Sequence, residues 1–121
     1  MSLRLEMLQV ARVAPTVLGE AARLVKEFLR GQQNSDGGFK DRSGKSDLYY
    51  TVFGLDAYAV FQTEPDLDAV EKFLGTFADG DGLDLVHLSC LTRCWGSLGK
   101  DRMPKGLRAK LLQRLESFRK P

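Results

Sequence analysis

No stretch of the sequence approaches the roughly 18–20 apolar residues needed to cross a bilayer, so no transmembrane helix is expected. The opening residues, Met1-Ser2-Leu3-Arg4-Leu5-Glu6, carry charge where a signal peptide needs an apolar core, and no secretory leader is expected. Cysteine is scarce. Cys90 and Cys94 are too few for a disulfide framework and read as reduced thiols of a cytoplasmic protein. A net charge of +2 leaves no global field pointing to nucleic acid or membrane. No segment alternates apolar and polar residues at period two, so strands have no signal and the chain reads as all-α.

What is present fits one soluble domain: 121 residues, 43% hydrophobic and 28% charged, long enough to bury a modest core. The charge is unevenly spread. From Lys100 to Pro121, eight Lys or Arg face only Asp101 and Glu116, while the first 99 residues carry a net −4. The basic segment reads as a solvated helix face, the alternative being a surface for acidic partners or phospholipid.

Periodicity predicts about six helices. A weakly amphipathic one over 3–13 ends at Pro15, which removes a backbone donor and turns Ala14 away from helical geometry. Thr16 is the expected cap of a second helix, whose stripe is Ala21, Leu24, Val25, Phe28 and Leu29 and whose stop is Gly31. Gly31 to Ser46 has no apolar period and is long for a connection. Asp47 caps a third helix reaching about Gln62. Its core side is Leu48, Val52, Leu55, Ala59 and Val60, and its aromatics predict burial on two sides. Pro65 and Asp66 open a fourth, with Leu67, Val70, Phe73, Leu74 and Phe77. Asp79-Gly80-Asp81-Gly82 breaks it, reading as a polar turn rather than a calcium loop, which would need a spacing of twelve and a terminal Glu. Asp84 caps a fifth helix through Leu85, Leu88, Leu91 and Trp95 to Leu98, stopped by Gly99. The last, over 104–119, has Leu107, Leu111, Leu115 and Phe118 on one stripe.

The chain repeats itself. Val25-Lys26-Glu27-Phe28-Leu29 matches Val70-Glu71-Lys72-Phe73-Leu74, and Asp36-Gly37 falls on Asp81-Gly82. After an eight-residue deletion, Asp47-Leu48 falls on Asp84-Leu85 and Tyr50 on His87. Two helix–loop–helix units, about 17–62 and 66–99, are therefore expected to stack as α-hairpins within a single domain, 1–121.

The run Phe28-Leu29-x2-Gln32-x3-Asp36-Gly37-Gly38-Phe39-x2-Arg42-x-Gly44-Lys45-x-Asp47-x-Tyr49-Tyr50-Thr51 resembles the repeat of protein prenyltransferase β subunits and of the related squalene and terpene cyclases. The resemblance is strongest over 24–61, weaker over 67–99 and absent before about 16. It implies a Gly-Gly-Phe turn plugged by its aromatic, a glutamine satisfying loose backbone groups, and hairpins arranged as an α/α toroid. About six hairpins close such a ring. At roughly 40–50 residues per repeat this chain can build only an arc.

The resemblance also implies where chemistry would lie. Arg42 and Lys45 correspond to loop residues that grip a diphosphate, and a guanidinium with an ammonium suits that charge. The alternative is solvated loop cations. Tyr49, Tyr50 and Phe53 would wall an isoprenoid groove together with His87, the alternative for the aromatics being core. The family's zinc histidine sits where Tyr50 and His87 fall, but its other ligands come from an Asp-x-Cys, which this chain lacks. His87, Cys90 and Cys94 share one helical face, which raises zinc as a weaker alternative to no cofactor; one helix rarely supplies four ligands. The glycine-rich run Asp36-Gly37-Gly38 itself lacks the Gly-Lys-Ser/Thr of a phosphate-binding loop and follows no expected strand, so nucleotide binding is not expected. The expected function is thus a catalytically silent repeat module binding a protein partner or an apolar ligand on its concave face. The alternative is part of an enzyme acting on isoprenoid diphosphates, completed by self-association or a second chain through the open repeat ends.

Overall fold

The computed structural model describes residues 4–6 and 19–119. Residues 4–6 are helical, while the rest of the expected first helix, the Pro15 break and the Thr16 cap lie outside the described residues. The described chain is all-α apart from one small hairpin: α1 (Gly19–Gln32), β1 (Phe39–Lys40), β2 (Ser46–Asp47), α2 (Leu48–Val60), α3 (Leu67–Gly75), α4 (Leu85–Leu98) and α5 (Leu107–Ser117). No described helix is long and apolar enough to cross a membrane.

Three helices begin on an aspartate, as their sequences imply. The carboxylate of Asp47 accepts from Tyr50 N at 3.0 Å, that of Asp66 from Ala69 N at 3.1 Å and that of Asp84 from His87 N at 2.8 Å. Each satisfies an amide that the first helical turn leaves without a partner. At the other ends, Gly99 follows α4 with φ 96°, the left-handed geometry glycine tolerates. Gly31 does not stop α1, which runs one residue further, and α5 starts at Leu107 behind Gly106 rather than at Pro104.

The connection between α1 and α2, which has no apolar period, is ordered by polar side chains. Phe39 and Lys40 pair antiparallel with Asp47 and Ser46. Asp36 Oδ1 accepts from Gly38 N at 2.9 Å and from the Ser46 hydroxyl, and Asn34 Nδ2 donates to Gly44 O and Ser46 Oγ. At the tip, Asp41 Oδ1 accepts from Ser43 N, Ser43 Oγ and Lys45 N at 2.7–3.0 Å. Gln33, not Gln32, is the glutamine that satisfies loose backbone groups. Its Nε2 donates to Gly37 O and Asp66 O and its Oε1 accepts from Asp66 N, all at 3.2 Å. Gln32 ends α1, one position too early to reach these groups.

Phe39 carries the hairpin into the core. Its ring is 2% exposed, packs edge-on against Tyr58 with centroids 6.1 Å apart, and lies over Gly54 of α2. Thr51 holds the backbone beneath it, accepting from Phe39 N at 3.0 Å and donating to Asp47 O at 2.7 Å. Around this point α1 packs on α2, α2 lies beside α4, and α3 and α5 both pack on α4. The core is built from Leu48, Leu55, Val70, Leu74, Leu88, Leu91, Trp95 and Leu111.

Several stripe residues stay outside it. Leu29 is buried and Val25 half-buried, but Leu24 and Phe28 of α1 are exposed, Phe28 to 63%. Leu85 and Phe118 are exposed as well. Helix α2 packs against α1, the hairpin and α4, but the face carrying Tyr49 and Phe53 stays open, with these side chains 48% and 51% exposed.

Gly37 sits at φ 95° with its Cα against the backbone of α3, where a Cβ would fall on the Ala69 carbonyl. Gly44 has a similar φ of 88° and open space around it. Gly37→Ala is expected to lower stability by at least about 2 kcal/mol and Gly44→Ala by only about 1 kcal/mol, as read from urea unfolding midpoints. Equal losses at the two sites would show that the contact with α3 does not matter.

Candidate functional site

Helices α2 and α4 run parallel. Asp47 lies 3.9 Å from His87 near their N-termini, and Asp56 Oδ2 accepts from Arg93 Nη2 at 2.8 Å further along. Between them lies an open groove of about 830 Å³, within the range of small-molecule sites. Helix α2 contributes Tyr49, Val52 and Phe53 among its wall residues, and α4 contributes Val86, Ser89 and Cys90. Each of these three α4 residues stands 37 positions after its α2 counterpart, as Asp84 does after Asp47 and Arg93 after Asp56. Equivalent positions of the two repeat units thus stand side by side. Tyr49 and Phe53 stack edge-on at 5.0 Å, forming an aromatic wall.

One end of the groove is charged. Asp56, whose side chain is 19% exposed, is held by Arg93, and Arg4 lies 3.8 Å away on the other side. Among the described residues these are the only formally charged side chains in the groove lining, two guanidiniums beside one carboxylate. Neither Asp56 nor Arg93 stands out by residue type or local motif. Their signal is positional: each is the one formally charged residue of its helix, and the repeat register superimposes them.

The residues singled out from the sequence separate into three groups. Tyr49 and Phe53 are in the groove wall. Tyr50 turns the other way and packs partly buried against the core. His87 lies beyond the wall at the helix N-termini, with Nδ1 2.8 Å from Asp84 Oδ1. Arg42 and Lys45 are exposed at the hairpin tip and outside the groove lining. Gly44-Lys45-Ser46 reads like the end of a phosphate-binding loop, but Ser46 belongs to β2 and Phe39 stands where that pattern needs its first glycine.

No group of three His, Cys, Asp or Glu side chains among the described residues is placed to hold a metal ion. At 1.5 Å rise per residue, His87 and Cys94 stand about 10 Å apart along α4, too far for one ion with bonds near 2.0–2.3 Å. Cys94 is fully buried, and burial foremost, then the neighbouring Cys90, pushes its thiol up to about 12. Burial also pushes up the Cys90 thiol, with Asp47 adding to the effect. Neither has the lowered pKa of a reactive thiol. Iodoacetamide at pH 8 is expected to modify half-buried Cys90 slowly and Cys94 only after unfolding, as followed by peptide mass spectrometry. Labelling of both at one rate would contradict the burial of Cys94.

Three surface aspartates are held below their ordinary value of 3.8: Asp41 chiefly by the Ser43 hydroxyl, Asp79 chiefly by the Arg114 side chain, and Asp84 by the His87 amide and then its ring. A carboxyl depressed in the folded state contributes stability above its unfolded pKa and loses it as pH falls through the folded one. The melting temperature is therefore expected to drop as pH is lowered below about 4, and Asp84→Asn to flatten that slope.

No family model matches this chain, and neither does any curated protein or solved structure.

Proposed function

We propose that this chain is a prenyltransferase/terpene-cyclase-like repeat module, catalytically silent by itself, that binds an apolar ligand along the groove between α2 and α4. Support comes above all from one observation: the groove is walled by register-equivalent residues whose aromatic and aliphatic side chains are left exposed. Large apolar side chains grouped in a concavity mark binding surfaces, whereas scattered ones carry no such meaning. The groove offers little for catalysis. Its thiol has a raised pKa and its carboxylate is already paired with Arg93.

A second reading has its own support. Apolar residues are exposed toward both ends of the described fold, Leu24 and Phe28 on α1, Leu112 on α5 and Phe118 just past it. Open solenoid ends of this kind take further repeats. On that reading the chain is one arc of a ring completed by copies of itself or by a second chain, and the ring's ligand is an isoprenoid diphosphate.

Farnesol and farnesyl diphosphate separate the two in a thermal-shift titration. The groove reading expects farnesol to raise the melting temperature of a monomer, a hundredfold excess over Kd being worth about 2.7 kcal/mol, and Phe53→Asp to abolish the rise. The ring reading expects a higher-order species in light scattering, a shift with the diphosphate only, and loss of that shift in Arg42→Ala. A monomer that responds to neither compound removes both.

A further inference from the structure

The basic C-terminal segment is only partly accounted for by the fold. Arg102 pairs with Asp68, Arg114 with Asp79 and Asp81, and Arg119 with Glu116. Lys100, Lys105 and Arg108 make no ion pair with any described residue, and all three line one cleft of about 730 Å³ between α4 and α5. No carboxylate of a described residue lines that cleft. Three like charges kept together without a counterion repel one another, and an anion among them relieves that repulsion.

Two further features lie beside the same cleft. Helix α5 starts there behind Gly106, in left-handed geometry with φ 83°, and has no side-chain cap. Leu107 N donates to Pro104 O at 3.1 Å, but no side chain caps the amides of Arg108 and Ala109, and the positive end of the dipole faces the same place, in contrast to α2, α3 and α4, which their own aspartates cap. The wall of the cleft includes Trp95, 1% exposed, whose indole N–H is the one buried side-chain polar atom without a partner among the described residues. An indole N–H can only donate, and a buried donor without an acceptor carries an unpaid desolvation cost.

We propose that this cleft is a binding site for a phosphoryl group, held by Lys100, Lys105, Arg108 and the N-terminus of α5. A phosphate dianion matches the cationic lining better than a carboxylate does, and it has enough oxygens to accept from side chains and backbone together. The site is independent of the α2–α4 groove, which shares none of these three cations. Exposed Leu112 borders the cleft, so the phosphoryl group can belong to a soluble phosphate or to a lipid headgroup.

Trp95 is the sole tryptophan, and its fluorescence reports on the cleft directly. The protein is titrated at low salt with inorganic phosphate, and separately with phosphatidylcholine vesicles with and without phosphatidic acid. A saturable change with phosphate identifies a soluble source; a change only with phosphatidic acid vesicles identifies a headgroup. In either case Lys105→Gln/Arg108→Gln, both at exposed positions, is expected to weaken binding at least about tenfold with an unchanged circular dichroism spectrum. Lys40→Gln/Lys72→Gln, an equal loss of charge away from the cleft, is expected to leave binding unaltered. Absence of a saturable response to every probe overturns the site. So does equal weakening by the two double variants, which would mean diffuse attraction to a cationic surface.

Discussion

The seating of Phe39 over Gly54 is the contact on which the rest of the arrangement depends. An aromatic ring can lie on a helix backbone only where the helix presents no Cβ, and a Cβ at Gly54 would collide with the Phe39 ring. Full burial of the ring contributes about 1.5–3 kcal/mol, and the Phe39–Thr51 hydrogen bond sets the direction from which it enters. With the ring in place, Gly37 is carried against α3 and Gln33 reaches the start of that helix, so one plug aligns both repeat units.

The alignment of the units then explains the groove. Parallel stacking of α2 and α4 sets like positions side by side, so both the apolar and the charged residues come together in pairs. Tyr49 and Val86, and Phe53 and Cys90, line the same groove, and Asp56 meets Arg93. The salt bridge is partly exposed and contributes at most about 1 kcal/mol, so its chief effect is on register rather than stability. The aromatic wall is costly by comparison. Burying a side chain the size of Phe53 would gain about 1.5–3 kcal/mol, which its exposure forgoes.

Charge on the C-terminal segment divides along similar lines. Arg114 joins α5 to the turn after α3, and Arg102 joins the α4–α5 connection to α3. These pairs are exposed and individually weak, yet they occupy Asp68, Asp79 and Asp81. What remains is a cleft whose cations have no partner, next to a helix start without a cap. A solvated basic face and an anion site have the same composition. Only the distribution of the counter-charges tells them apart.

The all-α class, the aspartate caps and the 37-residue offset between the inner helices were legible in the sequence, because each rests on local geometry or on identity at a fixed spacing. Asp47, Asp66 and Asp84 cap their helices wherever those helices pack. Tyr49 and Phe53 line the groove and Tyr50 packs on the core, a division the sequence does not carry, because on a helix apolar nearly all round the periodicity does not say which face is covered. The hairpin escaped detection since two-residue strands have no period and are held by Asn34, Asp36 and Asp41, ordinary loop residues. The role of Gln33 depends on Asp66, thirty-three residues away. The exposure of Phe28 and Leu85, and the unpaired state of Lys105 and Arg108, belong to tertiary structure alone. A residue's type states what partner it requires; whether that partner is within reach is decided only when the helices have packed.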